Sequence, residues 1–183
     1  PDIFCYVSVS TIHSFLLSEI IFPYHHFLYG DQILRAINTD LPSEPSYRQK
    51  QLSDLRKNGF VDNYEVFRIA KFIICGKSSD KKVHRSIRGK ILGILCTYIS
   101  DIYIDEAQDI DEDIVRILEV FQANGIHTHL IGDPKQDIRA SHAFYDLVQV
   151  HSRNVEYISE NYRCPKSHVA FMNLFVVKDE LQE

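Results

Sequence analysis

Asp101-Ile102-Tyr103-Ile104-Asp105-Glu106-Ala107-Gln108-Asp109 is the stretch whose reading decides the fold. Residues 101–105 read as a short apolar strand that ends in acids. Ile110, Ile114, Ile117, Leu118 and Phe121 then recur on one face of a helix, and Gly125 stands where a helix C-cap belongs. Thr128 to Ile131 reads as a second strand, ending at Gly132-Asp133, and a mostly helical stretch runs on to about Val150. Val155 to Ser159 reads as a third strand, followed by Asn161-Tyr162-Arg163. A terminal helix is expected to carry Val169, Met172, Phe175 and Val176 on one side. Strands alternating with helices imply an α/β chain with a parallel sheet and flanking helices. In such sheets the functional groups gather at the carboxyl ends of the strands.

Three strand ends carry polar chemistry. An apolar strand running into Asp105-Glu106 suits an Mg-nucleotide site. The first acid would hold the hard cation, and the second would orient and deprotonate an attacking water. The plainer reading is a solvated acidic turn that caps the next helix through Asp109 or Asp111. After the second strand comes Gly132-Asp133-Pro134-Lys135-Gln136, where a polar amide at a sheet edge can sense a γ-phosphate. After the third comes Glu160-Asn161-Tyr162-Arg163, whose arginine can neutralise charge on a transferred phosphoryl group. Singly these are loop residues; three clusters in this order are hard to obtain by accident.

Composition sets the bounds. The 183 residues are 45% hydrophobic and 25% charged, the balance of a soluble globular chain. No stretch approaches the ~18 consecutive apolar residues of a membrane span. No basic region followed by an apolar core opens the sequence, so a secretory signal is not expected. Cys5, Cys75, Cys96 and Cys164 form no CxxC pair, which points to reduced thiols and a cytoplasmic setting. The nine histidines include His25-His26 and the spaced pair His127/His129, without the partners of a metal quartet. The net charge is −5, but it is unevenly spread. Arg48 to Lys90 holds twelve Lys/Arg against four acids, a net +8 that leaves −13 for the rest. A local field of that sign steers polyanions whatever the total.

The first half of the chain is less regular. Ile3 to Val9 reads as a strand, and Thr11 and Ser14 offer N-cap oxygens. Phe15, Leu16, Ile20 and Ile21 suggest a short helix that Pro23 stops. Ile33, Leu34 and Ile37 fall at helical spacing before the breakers Pro42 and Pro45, and the basic segment suits short amphipathic helices.

DEAQD, GDPKQDI and ENYR resemble motifs II, III and IV of the UvrD/Rep-type superfamily 1 DNA helicases. Thr11-Ile12-His13-Ser14-Phe15 is similar to the family's motif Ib. The resemblance covers roughly residues 3–25 and 98–178, and it implies a RecA-like, P-loop NTPase-type first domain in an ATP-driven motor. Carried over by position, it implies Asp105 as the Mg²⁺ ligand, Glu106 as catalytic base and Gln136 as the coupler of γ-phosphate to DNA. Arg163 becomes an arginine finger, Tyr162 stacks on adenine, and Gln108 joins the nucleotide site. Thr11, His13 and Ser14 become single-stranded DNA contacts. The division implied is 1–25 for the start of the RecA-like portion, 26–97 for a basic helical insertion of the 1B type, 98–178 for its continuation, and 179–183 for a tail. Within the insertion Lys81, Lys82, Arg85 and Arg88 would track DNA phosphates. Within the family, SEIIFPY (residues 18–24) and GDPKQ are similar to the helicase-like subunit of Gabija anti-phage systems.

Three departures accompany the likeness. No GxxxxGKS/T loop precedes motif Ib; the nearest imitation, Lys71-Phe72-Ile73-Ile74-Cys75-Gly76-Lys77-Ser78, lacks the first glycine and follows motif Ib. The aromatic-rich stretch expected after GDxxQxI is Arg139-Ala140-Ser141-His142-Ala143. Motifs V and VI are not present in the 183 residues. The chain by itself is therefore expected to hydrolyse ATP negligibly, and to need a protein partner or the remainder of a helicase. Two other readings remain open: a non-catalytic helicase-like module that binds DNA or a partner protein, and a nucleic-acid-binding domain that uses only residues 48–90.

Overall fold

Thr11 opens the first helical run, accepting the Ser14 amide on its Oγ1 at 3.2 Å and so satisfying one orphan donor of the first turn. The computed structural model, which describes residues 6–133, 136–137, 141–158, 160 and 164–175, shows that run in three parts. They are α1 (Ile12–Phe15), a π-helical stretch (Leu16–Ile21) and α2 (Phe22–Tyr29). Pro23 does not stop the helix. It sits in the first turn of α2, just after the change from π to α bonding, where a residue without an N–H is tolerated. The run ends instead at Gly30, whose φ of +85° is open to glycine without the Cβ penalty.

Residues 35–37 also depart from expectation. They form a strand, β1 (Arg35–Ile37), paired in parallel with β2 (Phe60–Asp62) in the register Arg35↔Phe60. The crossover between them is α3 (Pro45–Lys57). Spacing alone suggested a helix, but an available partner strand outweighs local periodicity in so short a segment. The buried Asp62 then ties the region together, accepting the Tyr64 amide at 2.8 Å and the Thr39 amide at 2.9 Å.

Next come α4 (Val66–Ile74) and α5 (Lys82–Tyr98). Beyond them lie β3 (Asp101–Ile104), α6 (Glu112–Ala123) and β4 (His127–Leu130). The core forms around α4, whose Val66, Phe67, Ile69, Ala70, Ile73 and Ile74 are all buried. It packs against the π-helical stretch, α5 and α6, meeting Leu16, Ile20 and Ile21 from the first of these and Ile114, Ile117 and Phe121 from the last among the buried side chains. Burying each such side chain contributes roughly 1.5–3 kcal/mol. An ion pair between Lys71 and Asp113 fastens α4 to α6 at the surface. β3 and β4 pair in parallel from Asp101↔His127 to Ile104↔Leu130, and Gly125, at φ +91°, lies just past the end of α6 as the sequence indicated.

The architecture is thus mixed α/β with two two-stranded parallel sheets among the described residues. Two expected strands are not among them. Tyr6 to Ser10 has no regular structure, with Tyr6 and Val9 more than nine-tenths exposed, and no described strand pairs with it; residues 1–5 lie outside the described residues. Residues 155–158 are likewise irregular, and Ser159 lies outside.

The chain divides into two compact units, Pro1–Phe144 and Tyr145–Glu183. All elements up to β4 belong to the first. α7 (Ala143–Val150) leads into the second, which holds α8 (Lys166–Met172). Val169 is buried there, while Met172 and Phe175, expected on the same apolar side, are exposed, and Val176 lies outside the described residues. No described helix is long and apolar enough to cross a membrane.

Candidate functional site

The parallel register of β3 and β4 sets their carboxyl ends side by side, and the pairing continues past both strands. Ile131 N–H donates to the Ile104 carbonyl at 2.8 Å, and Ala107 N–H donates to the Ile131 carbonyl at 2.9 Å. DEAQD and the start of GDPKQ are thereby stitched to one sheet edge. Glu106 occupies the turn in the left-handed region, φ +53° and ψ +43°, a conformation that costs a residue with a Cβ about 1–3 kcal/mol.

Hydrogen bonds hold that strained residue. Its amide donates to Asp105 Oδ1 at 2.9 Å, and its Oε2 accepts Gln108 Nε2 at 2.5 Å. Gln108 is buried, and its Oε1 accepts the Asp133 amide at 3.1 Å. Asp133 Oδ2 in turn accepts Gln136 Nε2 at 2.9 Å. One chain of contacts therefore runs from Glu106 through Gln108 and Asp133 to Gln136. Asp105 and Glu106 remain solvent-exposed. Tyr162 and Arg163, expected to complete the site, lie outside the described residues.

The capping reading also finds its residue. Asp111, not Asp109, caps α6, its Oδ1 accepting the Ile114 amide at 3.0 Å. That leaves Asp105 and Glu106 outside the helix, each with one carboxylate oxygen engaged by the turn itself. Among the described residues no three His, Cys, Asp or Glu side chains gather as a metal cage. Two adjacent exposed carboxylates fit a cation of the magnesium kind, which is held through one or two carboxylates while its other ligands are water and phosphate.

The Lys71–Ser78 imitation of a phosphate loop is filled from within. Gly76 has φ +96°, and a Cβ there would meet Arg88 Nη1 at 2.8 Å and Asp80 Oδ2 at 2.9 Å. The Lys77 amide donates to Asp80 Oδ2 at 2.8 Å, where a phosphate oxygen would otherwise sit. Lys77 Nζ lies 4.0 Å from the centre of the Tyr29 ring and 4.6 Å from that of Phe72, and burial lowers its pKa.

Arg88 is not a surface cation. It is buried and donates to Asp80 Oδ2 at 2.5 Å and to the Ile73 carbonyl at 2.9 Å, so it faces the protein and not a polyanion. Burial alone would raise the Asp80 pKa, but the Lys77 amide and Arg88 outweigh it and hold the carboxyl below its ordinary value. Other cations of the basic segment are paired too: Arg56 and Arg68 share the buried Glu65, and Lys57 meets Asp54 at the surface. Lys81, Lys82 and Arg85 are exposed at the start of α5 and form no ion pair among the described residues. Lys90 extends that face, a residue the motif comparison passed over because only helical phase places it there.

Thr11 and Ser14 are exposed, and their hydroxyls bond each other at 2.9 Å. His13 instead turns to Phe67, with ring centroids 4.5 Å apart. His127 and His129 meet solvent on one face of β4, His129 stacked on Tyr103 at 4.3 Å. Asp133 and Asp137 were missed as individual residues. Asp133 bridges the two motifs, and Asp137 accepts the His142 amide at 2.7 Å where the chain enters α7. No protein-family model matches the chain, and no curated protein matches it.

Proposed function

We propose that this chain supplies the acidic and sensing half of an ATP-driven motor that moves on single-stranded DNA, as a RecA-like first domain of the UvrD/Rep type. The observation that supports it is the Glu106–Gln108–Asp133–Gln136 chain of contacts, which joins residues of two motifs across adjacent parallel strand ends. In this reading Asp105 holds the cation that accompanies ATP, and Glu106 takes the proton of the attacking water. Gln136 reads the γ-phosphate, and any change there reaches Glu106 through Asp133 and Gln108. Magnesium would supply neutralisation of phosphate charge. Tyr162 and Arg163 keep the adenine-stacking and arginine-finger roles that the resemblance implies. Lys81, Lys82 and Arg85 track the strand, with Thr11, His13 and Ser14 as further contacts.

One observation favours the non-catalytic alternative, a module that binds DNA or a partner protein. The chain's one GKS sequence is occupied by its own Asp80 and Arg88, so phosphate-wrapping amides would have to come from elsewhere. The two readings part in an amide NMR spectrum recorded while Mn²⁺-ATP is added. Line broadening centred on Asp105 to Gln108, Asp133 and Gln136 is the expected result. Broadening elsewhere, or none at these amides, removes the motor reading. ATP turnover by the isolated chain is expected to be negligible, and turnover abolished by Glu106→Gln would overturn that expectation.

A further inference from the structure

His13, Asn63, Tyr64, Phe67 and Asp111 line a recess of about 310 Å³ in the first unit, near the lower end of the ~300–1,000 Å³ typical of small-ligand sites. Its walls combine two kinds of chemistry. Phe67 is anchored in the core and backs the tilted His13 ring. Tyr64, by contrast, is 77% exposed, although its backbone is fixed by the amide bond to Asp62. A large aromatic ring held in water at the mouth of a recess is a stacking platform without an intramolecular cover.

The polar side of the recess includes a hydrogen-bond acceptor. Asp111 presents a half-buried carboxylate whose Oδ1 already caps α6. Burial, with Asp113 nearby, raises its pKa, against the attraction of Lys71 and the helix amides. Lys71, the nearby cation, is paired with Asp113, and no Lys or Arg among the described residues lines the recess. A phosphate would therefore meet an acid there. A flat heterocycle that donates an amino N–H would meet the Asp111 carboxylate and the exposed face of Tyr64.

We infer that this recess takes a nucleobase bearing an exocyclic amino group, stacked against the exposed Tyr64 ring with its amino N–H donated to Asp111. The source of the base, a passing single strand, rests on the motor reading above; recognition of the base itself does not.

The test uses the whole chain with nucleosides and with strands. Adenosine is expected to shift the amide resonances of Tyr64 and Asp111 more than N6,N6-dimethyladenosine, which keeps the stacking ring but has no amino N–H to donate. Tyr64→Ala, at an exposed position that leaves the fold intact, is expected to abolish those shifts with an unchanged melting temperature. Oligodeoxyadenylate is expected to bind about tenfold more tightly than an abasic strand of equal length, the size of one aromatic–base stack, and Tyr64→Ala to close that gap. Nucleoside shifts without a preference for the base-bearing strand support the base site and assign it to a free nucleoside, against the motor reading. Strand binding without nucleoside shifts at Tyr64 and Asp111, or shifts that survive Tyr64→Ala, overturn the base site and leave the motor reading standing.

Discussion

Gln108 stands where a side chain on Gly132 would have to go. A Cβ at Gly132 would lie 2.6 Å from Gln108 Oε1 and 2.9 Å from the Ala107 amide nitrogen. The glycine of GDPKQ is thus required by the glutamine of DEAQD, although the two stand 24 positions apart in the sequence. Gly132→Ala should cost about 1–3 kcal/mol in urea denaturation, since the Ala107 backbone cannot swing aside as the Gln108 amide can. In a double-mutant cycle with Gln108→Ala the two costs should fall short of their sum, because removing Gln108 relieves part of the clash. Strict additivity would show that the two motifs are not mechanically joined.

The Asp80–Arg88 pair gives a second prediction. Arg88→Ala leaves a buried carboxylate without its partner and should cost about 3–5 kcal/mol, whereas Arg85→Ala on the exposed face should stay within about 0.5 kcal/mol. The comparison separates a buried structural cation from a surface one of the same segment. Equal effects would contradict the burial.

Acid titration of stability follows from the same carboxylate. The Asp80 pKa is held below its ordinary value in the fold. Its contribution is therefore complete above the unfolded value of about 3.9 and is lost as pH falls through the lower folded value. Asp111 is shifted upward by burial, so its contribution has the opposite sign and is lost as pH rises through its folded value. Stability measured in urea from neutral pH into the acid range should lose part of its acid-limb slope in Asp80→Asn. In Asp111→Asn, which keeps a capping side chain, the acid limb should steepen instead. The same slope in both variants would contradict the assigned directions.

These relationships also show which features the sequence could reveal. The β3 strand, the α6 stripe ending at Gly125 and the strand at 127–130 were legible because each carries its own local signal: an apolar run, a helical period, a glycine past the last turn. Pro23 misled because its effect depends on a π-to-α change that no propensity encodes. Residues 35–37 misled because a three-residue strand is defined by its partner at 60–62. At the site, Asp105, Glu106 and Gln136 could be picked out by type and order. The buried bridge through Gln108 to the Asp133 amide could not, since it exists only once β3 and β4 are in register. Arg88 looked like its basic neighbours; helical phase turns Lys82, Arg85 and Lys90 outward and Arg88 inward.

That outward face makes a quantitative prediction for DNA. If Lys81, Lys82 and Arg85 each neutralise one phosphate, replacing all three with glutamine should flatten the logarithmic salt dependence of single-strand affinity by about 2, at ~0.7 per contact. Fluorescence anisotropy with a labelled oligonucleotide at several salt concentrations measures it. Tyr64→Ala should leave that slope unchanged, because it removes a base contact and no charge. An unaltered slope in the triple variant would take DNA away from α5.

The same helix carries Gly89 and Gly93, and an added Cβ at either would meet no other atom within 4 Å. In the free chain these glycines contribute only backbone freedom, a cost of about 1 kcal/mol each relative to alanine inside a helix. Gly89→Ala and Gly93→Ala should each raise stability by about that amount, and together by nearly the sum. Thermal or urea denaturation of the two single variants and the double variant decides it. A loss of stability at either position would mean that this side of α5 is covered in solution. Its exposure, and with it the availability of Lys82, Arg85 and Lys90 to a polyanion, would then have to be abandoned.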